Sequence, residues 1–505
     1  MPLIKALRNH SQLPAKPISA EKSGNIIIRM NCAHRCITFL IACPLWLAVA
    51  NGATPGVSPL LGAAWTRSNS QVFLSWPVSA GNYTLYATTN LALTNWQLVT
   101  NVPVSSNSQF YVNLPTTNGT QQFFRLMPRP LHTSGTNIVN ASGAVVQLKG
   151  LNLGGWLVME GWMCPLDSSG NLPDTYSAIT NLDHRFGVAT EQSLIHAYQT
   201  NWITLNDLNN LTDAGYNCVR MPVWWGNFYS ITNTTSSGWR SDAFTVLDWL
   251  VSNCAVRGIY VVIDMHGVIG GQSTSGDTGW QNQNQYWTNS LDQSQTADMW
   301  KQIATHYNSN STVAGYDLIN EPMGTPSTAA VWAAYTNLYT TIRAVDNSHM
   351  IIVEGTFGNW DWSMLPSPSI YGWTNIVYQM HEYQWGANNA AGVEAGADNQ
   401  VTDFHNHLSW NVPGYIGEWN DMGMGAACYT YSINDYKTAG LSWTMWAYKA
   451  AHGSVPDGWG WFDPTTTFPP TPNLETDSTA TIVNDWQQWQ TTSSFSVNSA
   501  VGLGP

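Results

Sequence analysis

Two acids in this chain stand where chemistry is expected. Glu321 closes the run Leu318-Ile-Asn320-Glu321-Pro322, and Glu418 closes Tyr415-Ile-Gly-Glu418 ahead of Trp419 and Asn420. Each apolar run reads as a strand, so each acid falls at a strand's C-terminal end. Four other segments finish in the same way: Cys218-Val-Arg220-Met-Pro222, Asp264-Met-His266-Gly267, Gln379-Met-His381-Glu-Tyr383 and Trp443-Thr-Met-Trp446-Ala-Tyr448-Lys449. One polar residue at a strand end is commonly a packing feature; six such ends point to a shared mouth lined for reaction. A carboxyl pair across one mouth suits cleavage of a glycosidic bond. A protonated acid helps the sugar oxygen leave while a carboxylate attacks the anomeric carbon from the opposite face. A gap of about 5–5.5 Å gives retention, and one of about 6.5–9.5 Å leaves room for water and gives inversion.

Positioning those groups takes a scaffold that brings distant strands to one rim. Strand candidates fall at 150–154, 217–223, 260–266, 315–321, 350–354, 376–383, 414–418 and 441–446, preceded by a hairpin over 138–149. Amphipathic helical stretches alternate with them at 205–214, 244–256, 299–307 and 330–345, and a last one covers 482–489. Eight apolar strands alternating with helices predict an α/β chain built as a (β/α)8 TIM barrel. The competing open doubly wound sheet lacks its Gly-x-Gly-x-x-Gly signature after an early strand. From about residue 56 to 127 the rhythm is instead short alternating strands, such as Gln71-Val-Phe-Leu-Ser-Trp76, with little helix. That pattern suits a small β-sandwich, and the segment resembles fibronectin type III-like modules. Its Trp76 and Trp96 either dock carbohydrate or fill a spacer's core. Expected boundaries are a leader over 1–53, the β-module over 54–130 ending near Pro128-Arg-Pro130, the barrel over 131–490 and a tail over 491–505.

The 505 residues are 44% hydrophobic and 10% charged, which excludes a disordered chain. The net charge is −13, and six of the 18 basic residues lie before residue 54. An acidic body repels polyphosphate, so nucleic acid and anionic membrane surfaces are poor partners. Trp is abundant, with 27 copies, and asks for a large core or for surfaces that meet flat apolar ligands such as sugar faces. Near the start, basic Arg29 and Arg35 flank an apolar run over 36–50 that ends in small residues. This reads as a secretory signal peptide, with Met30 a candidate start and a retained anchor as the rival reading. A secreted monomer is expected. Cys32, Cys36 and Cys43 fall in the leader. Cys164, Cys218, Cys254 and Cys428 are widely spaced, and buried thiols are the preferred reading, with a Cys218–Cys254 bridge left open. No metal or cofactor is expected, because the 12 His form no ligand-like cluster at a strand end.

Asn320-Glu321-Pro322, with Arg220, His266, the His381-x-Tyr383 pair, Glu418 and Trp446, resembles glycoside hydrolase family 5. The likeness spans about residues 138–489. Within the family the sequence is most similar to exo-β-1,3-glucanases, through Asn152-Leu-Gly-Gly-Trp-Leu-Val-Met-Glu160, the run from Trp202 to Phe228, His266-Gly-Val-Ile-Gly-Gly-Gln272 with Asp277-Thr-Gly279, and Trp446-Ala-Tyr-Lys449. The resemblance implies Glu321 as acid/base and Glu418 as nucleophile, with the charge of Glu418 keeping Glu321 protonated. It implies that Arg220 keeps Glu418 ionised, Tyr383 donates to it and Asn320 binds the 2-hydroxyl. His266 would position a sugar hydroxyl, His381 the acid/base, and Trp446 would form the platform under the reacting sugar. Glu160 either binds the terminal sugar or is a surface charge. Long connections over 156–201 and 267–297 are expected to wall the cleft toward end-on attack, and Trp360, Trp362 and Trp373 are candidates for a further subsite. Tyr448 and Ala451 depart from the glucanase pattern, as does the loop 421–428. The implied substrate is a β-glucan; alternatives are an endo-β-1,4-glucanase, a mannanase, or a non-catalytic glycan-binding barrel.

Overall fold

The computed structural model describes residues 28–30, 62–66, 71–78, 83–89, 97–115, 122–356, 361–451, 459–464, 468–499, 501 and 504–505. The expected signal sequence over 36–50, Trp96 and Trp360 lie outside them. Eight parallel strands close on themselves: β1 (Lys149–Asn152), β2 (Cys218–Trp224), β3 (Tyr260–Gly267), β4 (Val313–Asp317), β5 (Met350–Glu354), β6 (Ile376–Glu382), β7 (Gly414–Trp419) and β8 (Ser442–Met445). Closure is seen at β1, where Leu151 pairs with Val219 on one side and with Met445 on the other. Nearly every residue of these strands is buried, as near-continuous apolar runs covered on both faces require. The protein is therefore a (β/α)8 TIM barrel.

Helices cover the strands and begin at side-chain caps. Asn289 caps the helix Ser290–Tyr307, Ser327 caps Thr328–Arg343 and Asn389 caps Ala390–Asn406, each accepting a main-chain N–H in the first turn. After β7, the helix Ala426–Ala439 ends at Gly440, whose φ of +77° suits glycine.

Upstream, small antiparallel sheets are present. Gly62–Thr66, Gln71–Pro77, Gln109–Pro115 and Val104–Ser106 form one sheet in that order. In it Val72, Leu74, Trp76, Val112 and Leu114 are buried at alternate positions, so Trp76 is core and no docking face. Ile28–Met30 pairs antiparallel with residues 122–124. By contacts, this unit takes in residues up to 80 and 100–126, whereas 81–99 and 127–505 belong with the barrel.

Several local expectations are corrected. The hairpin expected over 138–149 is present only as a short one, an antiparallel Val139–Val145 bridge closing the 140–144 turn; His132–Ser134 pairs with Asn137–Val139 ahead of it, and β1 already starts at Lys149. The connection over 156–201 is largely helical, in Thr175–Phe186 and Val188–Trp202, because an Asp174–Ser177 capping box starts the first helix. The preferred reading of the cysteines holds: Cys164, Cys218, Cys254 and Cys428 are free buried thiols, and the Cys218–Cys254 bridge left open is not formed. Among the described residues no helix is long and apolar enough to cross a membrane.

Candidate active site

Arg220, fully buried on β2, organises the barrel's C-terminal end. Nη1 meets Glu418 Oε1 at 2.7 Å and Asn152 Oδ1 at 3.1 Å, Nε meets Asp317 Oδ2 at 2.8 Å, and Nη2 meets Asn320 Oδ1 at 2.8 Å and Asp264 Oδ1 at 3.0 Å. The guanidinium thus makes four hydrogen bonds, and its contact with Asp264 Oδ1 is an ion pair. Burial alone pulls its pKa down, but Asp264, Asp317 and Glu418 outweigh that and hold the cation charged. Asn152 ties the cluster to the strands by donating to the carbonyls of Gly417, Thr444 and Met445.

Glu418 therefore presents one oxygen to Arg220, while its Oε2 accepts from the Tyr383 hydroxyl at 2.8 Å. Glu321 lies four residues past the end of β4, in a left-handed turn with φ +39°. Strand four is thus shorter than the expected 315–321. His381 Nδ1 stands 2.7 Å from Glu321 Oε1 and 3.6 Å from Glu418 Oε2. One imidazole nitrogen thus faces both carboxyls, which places them together at the same rim of the barrel. Gln379 Nε2 approaches both Glu354 Oε2 (3.5 Å) and His381 Nε2 (3.3 Å), so the imidazole accepts at Nε2 and carries its proton on Nδ1, facing the acids. Burial pushes His381 down to about 3, which keeps it neutral.

Burial pushes the Glu321 carboxyl up to about 8, and the charge of Asp277 adds to this. The expectation that Glu418 supplies the main upward push is corrected: burial is the largest influence on Glu321 and Asp277 the largest charge. His266 Nδ1 donates to Asp264 at 2.6 Å. Its own burial pulls the imidazole down, yet Asp264 prevails and lifts it to about 9.

These groups line a cavity of about 430 Å³ with Glu160, Trp162, Ser275, Asp277, Trp385, Trp446 and Trp459. His266 stacks on Trp446 with centroids 5.4 Å apart. Glu160 is part of this wall, not a remote surface charge: its Oε2 accepts from Trp162 Nε1 at 2.8 Å, and burial lifts its carboxyl to about 7. Trp385 is 62% exposed and Trp162 37%. Trp385, Trp459 and Trp162 form a chain of rings spaced 5.5 and 5.2 Å apart.

The structure brings Arg220, His266, Asn320, Glu321, His381, Tyr383, Glu418, Trp446 and Glu160 into this one region. Trp362 and Trp373 are corrected as subsite candidates: they are 1% and 4% exposed and belong to the core. Tyr448 is also buried, donating to Asp207 at 2.7 Å, and Lys449 is spent on main-chain carbonyls of Trp202 and Trp489. Sequence reasoning passed over Glu354, Trp162, Trp385 and Trp459, and gave no role to Asn152 and Asp277, which it quoted only within motifs. Asn152 and Glu354 end β1 and β5, so the strand-end rule reaches them; the others sit on connections with no period to betray them. Glu321, Glu354 and His381 bring ligand-type atoms within 4.8 Å of one another, the one such group found among the described residues.

A barrel with a buried, arginine-bound carboxylate facing a protonated carboxyl within one sugar-sized cavity defines a glycoside hydrolase. The family model for cellulase, glycosyl hydrolase family 5, matches residues 184–452, and the chain belongs to that family. It hydrolyses O-glycosyl bonds with retention. A β-xylosidase of Phanerodontia chrysosporium is 27% identical over 350 residues, covering 63% of this chain and 70% of its own length. A glucan 1,3-β-glucosidase of Candida oleophila is 26% identical over 297 residues, covering 54% and 67%. Among solved structures, rutinosidase from Aspergillus niger shares the fold, with TM-score 0.50, 17% identity and coverage of 62% of this chain and 93% of that one.

Proposed function

We propose that this protein is a secreted exo-acting β-glucanase that releases glucose from the chain end of β-1,3-glucan, with residues 131–490 as its catalytic domain. Glu321 is the acid/base and Glu418 the nucleophile. In the first step Glu321 protonates the glycosidic oxygen and Glu418 forms a glycosyl ester with the anomeric carbon. In the second, ionised Glu321 takes a proton from water, which hydrolyses the ester. Arg220 and Tyr383 orient Glu418 through one bond to each oxygen. Asn320 meets the 2-hydroxyl, His266 a neighbouring hydroxyl, and Trp446 underlies the ring.

One observation carries the exo reading: Glu160 and Asp277 stand inside the same cavity as the carboxyl pair. Asp277 Oδ1 is buried there without a hydrogen-bond partner among the described residues. Acceptors so placed suit the hydroxyls of a terminal sugar, while the exposed Trp385 and Trp162 offer stacking faces to the departing chain. The Candida oleophila relative supports a 1,3-glucan, and the basic-flanked apolar run over 36–50 supports secretion. The β-xylosidase relative favours a second reading, removal of terminal xylose, in which the pocket takes a pentose.

Product analysis on laminarin, carboxymethyl cellulose, mannan and xylo-oligosaccharides side by side tests this. Glucose from laminarin at the earliest times is the expected result. An early viscosity drop on cellulose or mannan refutes exo action, and xylose release alone moves the assignment to the second reading. Glu418→Gln must lower kcat by about 10⁴ or more; retained activity sinks the assignment of the nucleophile.

A further inference from the structure

Glu354 is a buried acid at the heart of the site that the two-step reaction leaves without a task. It ends β5, is 3% exposed, and its Oε2 accepts the main-chain N–H of Glu321 at 2.8 Å. Its Oε1 lies 3.4 Å from His381 Nδ1, the nitrogen that also faces Glu321 Oε1 at 2.7 Å and Glu418 Oε2 at 3.6 Å. Tyr335 fixes the residue from behind, with its hydroxyl on the Glu354 carbonyl and N–H.

Two consequences follow from this placement. Glu321 has a Cβ and yet holds φ +39°, a region such residues avoid unless their surroundings impose it. The bond from its N–H to Glu354 holds Glu321 directly, while Gln272 holds the Asn320 carbonyl and the Met323 N–H on either side. Proton supply is the second point. One imidazole N–H faces oxygens of three acids and cannot satisfy them all. Arg220 gives neither of the other two a hydrogen bond, because its N–H groups face Asp264, Asp317, Glu418, Asn152 and Asn320. Among the charged neighbours of the pair, Asp277, Asp264 and Asp317 oppose ionisation, while His266 and the Arg220 charge favour it, and burial outweighs them. Two carboxyls this close and this buried do not both ionise.

We propose that Glu354 is a positioning residue for the acid/base, clamping the main chain of Glu321 and sharing with its carboxyl one proton that the pair retains through the working pH range. This rests on Glu321 being the acid/base. A singly protonated pair still offers its proton to the leaving group, so partnership with Glu354 extends activity to higher pH.

The test is Glu354→Gln, which keeps an acceptor for the Glu321 N–H but cannot titrate. Its kcat/KM profile should lose activity on the alkaline side about one pH unit earlier than wild type, with KM within about twofold and the acid limb in place. Glu354→Ala, lacking the clamp as well, should lose a further tenfold or so in kcat, and Gln at this position should recover it. An alkaline limb in Glu354→Gln that coincides with wild type overturns the proposal, since a purely structural residue would scale the profile without moving it. If Glu354→Gln fails to fold, carbon-13 titration of glutamate-labelled protein decides. The Glu321→Gln change should lower the midpoint of a second Glu carboxyl, and no movement refutes the coupling. Failure of the underlying assignment is separately visible: Glu321→Ala would then turn over laminarin at the wild-type rate.

Discussion

Replacing Arg220 by Met tests how the site is held together. The substitution roughly keeps volume but leaves Asp264, Asp317 and Glu418 without their shared cation in a fully buried setting. Removing one partner of a buried ion pair costs about 3–5 kcal/mol, and three orphaned acids argue for the upper end. The loss should depend on pH. Burial already lifts the Asp317 carboxyl above its ordinary range, against the pull of Arg220. A carboxyl raised in the folded state contributes stability that is complete below its unfolded value and disappears as pH climbs through the folded one. Deleting Arg220 lifts that folded value further, so the variant's deficit must be larger at pH 8 than at pH 5. Urea unfolding at both pH values, against wild type, reads this directly, and adding Asp317→Asn should return part of the loss at pH 8. In activity, forfeiting the 2.7 Å charged bond to Glu418 removes about 1.5–3 kcal/mol, or about 10- to 150-fold in kcat. Equal deficits at both pH values, or a loss below about 1 kcal/mol, would refute the reasoning.

Three further outcomes are expected. Tyr383→Phe deletes a 2.8 Å bond to Glu418 without opening a cavity, so kcat on laminarin should drop about 10- to 100-fold with little change in melting temperature. With Glu321 lifted to about 8, the acid stays protonated up to that pH and kcat/KM should fall about tenfold per unit above it; an aryl glucoside whose leaving group needs no proton should lose this limb. Trp385→Ala, at an exposed ring, should raise KM for laminarin oligosaccharides about 3- to 10-fold and leave kcat on a short aryl glucoside and thermal stability unchanged.

Much of the barrel was legible because its strands are buried on both faces. Runs such as Met350-Ile-Ile-Val-Glu354 and Cys218-Val-Arg-Met-Pro222 stand out from their polar flanks, and all eight predicted strands overlap observed ones. Helices near residues 175–202 escaped because their buried positions mix with polar ones: Val188–Trp202 buries Glu191 and Asn201 alongside Leu194, Tyr198 and Trp202. Most site residues that could be named in advance lie on or within a few residues of a barrel strand's C-terminal half; Glu160, on the connection after β1, was reached only through the resemblance. Asp277, Trp162, Trp385 and Trp459 arrive on loops, and a loop's route is fixed by tertiary contacts that leave no periodic trace. Trp362 and Trp373 illustrate the converse error. An aromatic near a site suggests a sugar face, but these two rings fill space behind the barrel strands, packing against Phe404 and Tyr371.

The origin of the proton on Glu321 changes how the two steps must be linked. Had the charge of Glu418 held that proton, forming the ester would release it automatically by removing the charge. In this structure Glu418 is paired with Arg220, and burial is the larger influence on Glu321, followed by Asp277. Neither proposed step makes or breaks a bond at Asp277, so it is not the switch. Burial is, in the proposed mechanism, because the first step would end with a leaving group departing past Trp385 and Trp459, and water would follow it into the space beside Glu321. Hydration then favours the ionised carboxyl just when a base is needed. On this account a leaving group that lingers should slow the second step as well as block its water. Added laminaribiose should therefore lower the rate of ester hydrolysis measured in a single turnover more than it lowers ester formation, whereas equal effects on both would leave burial without this role.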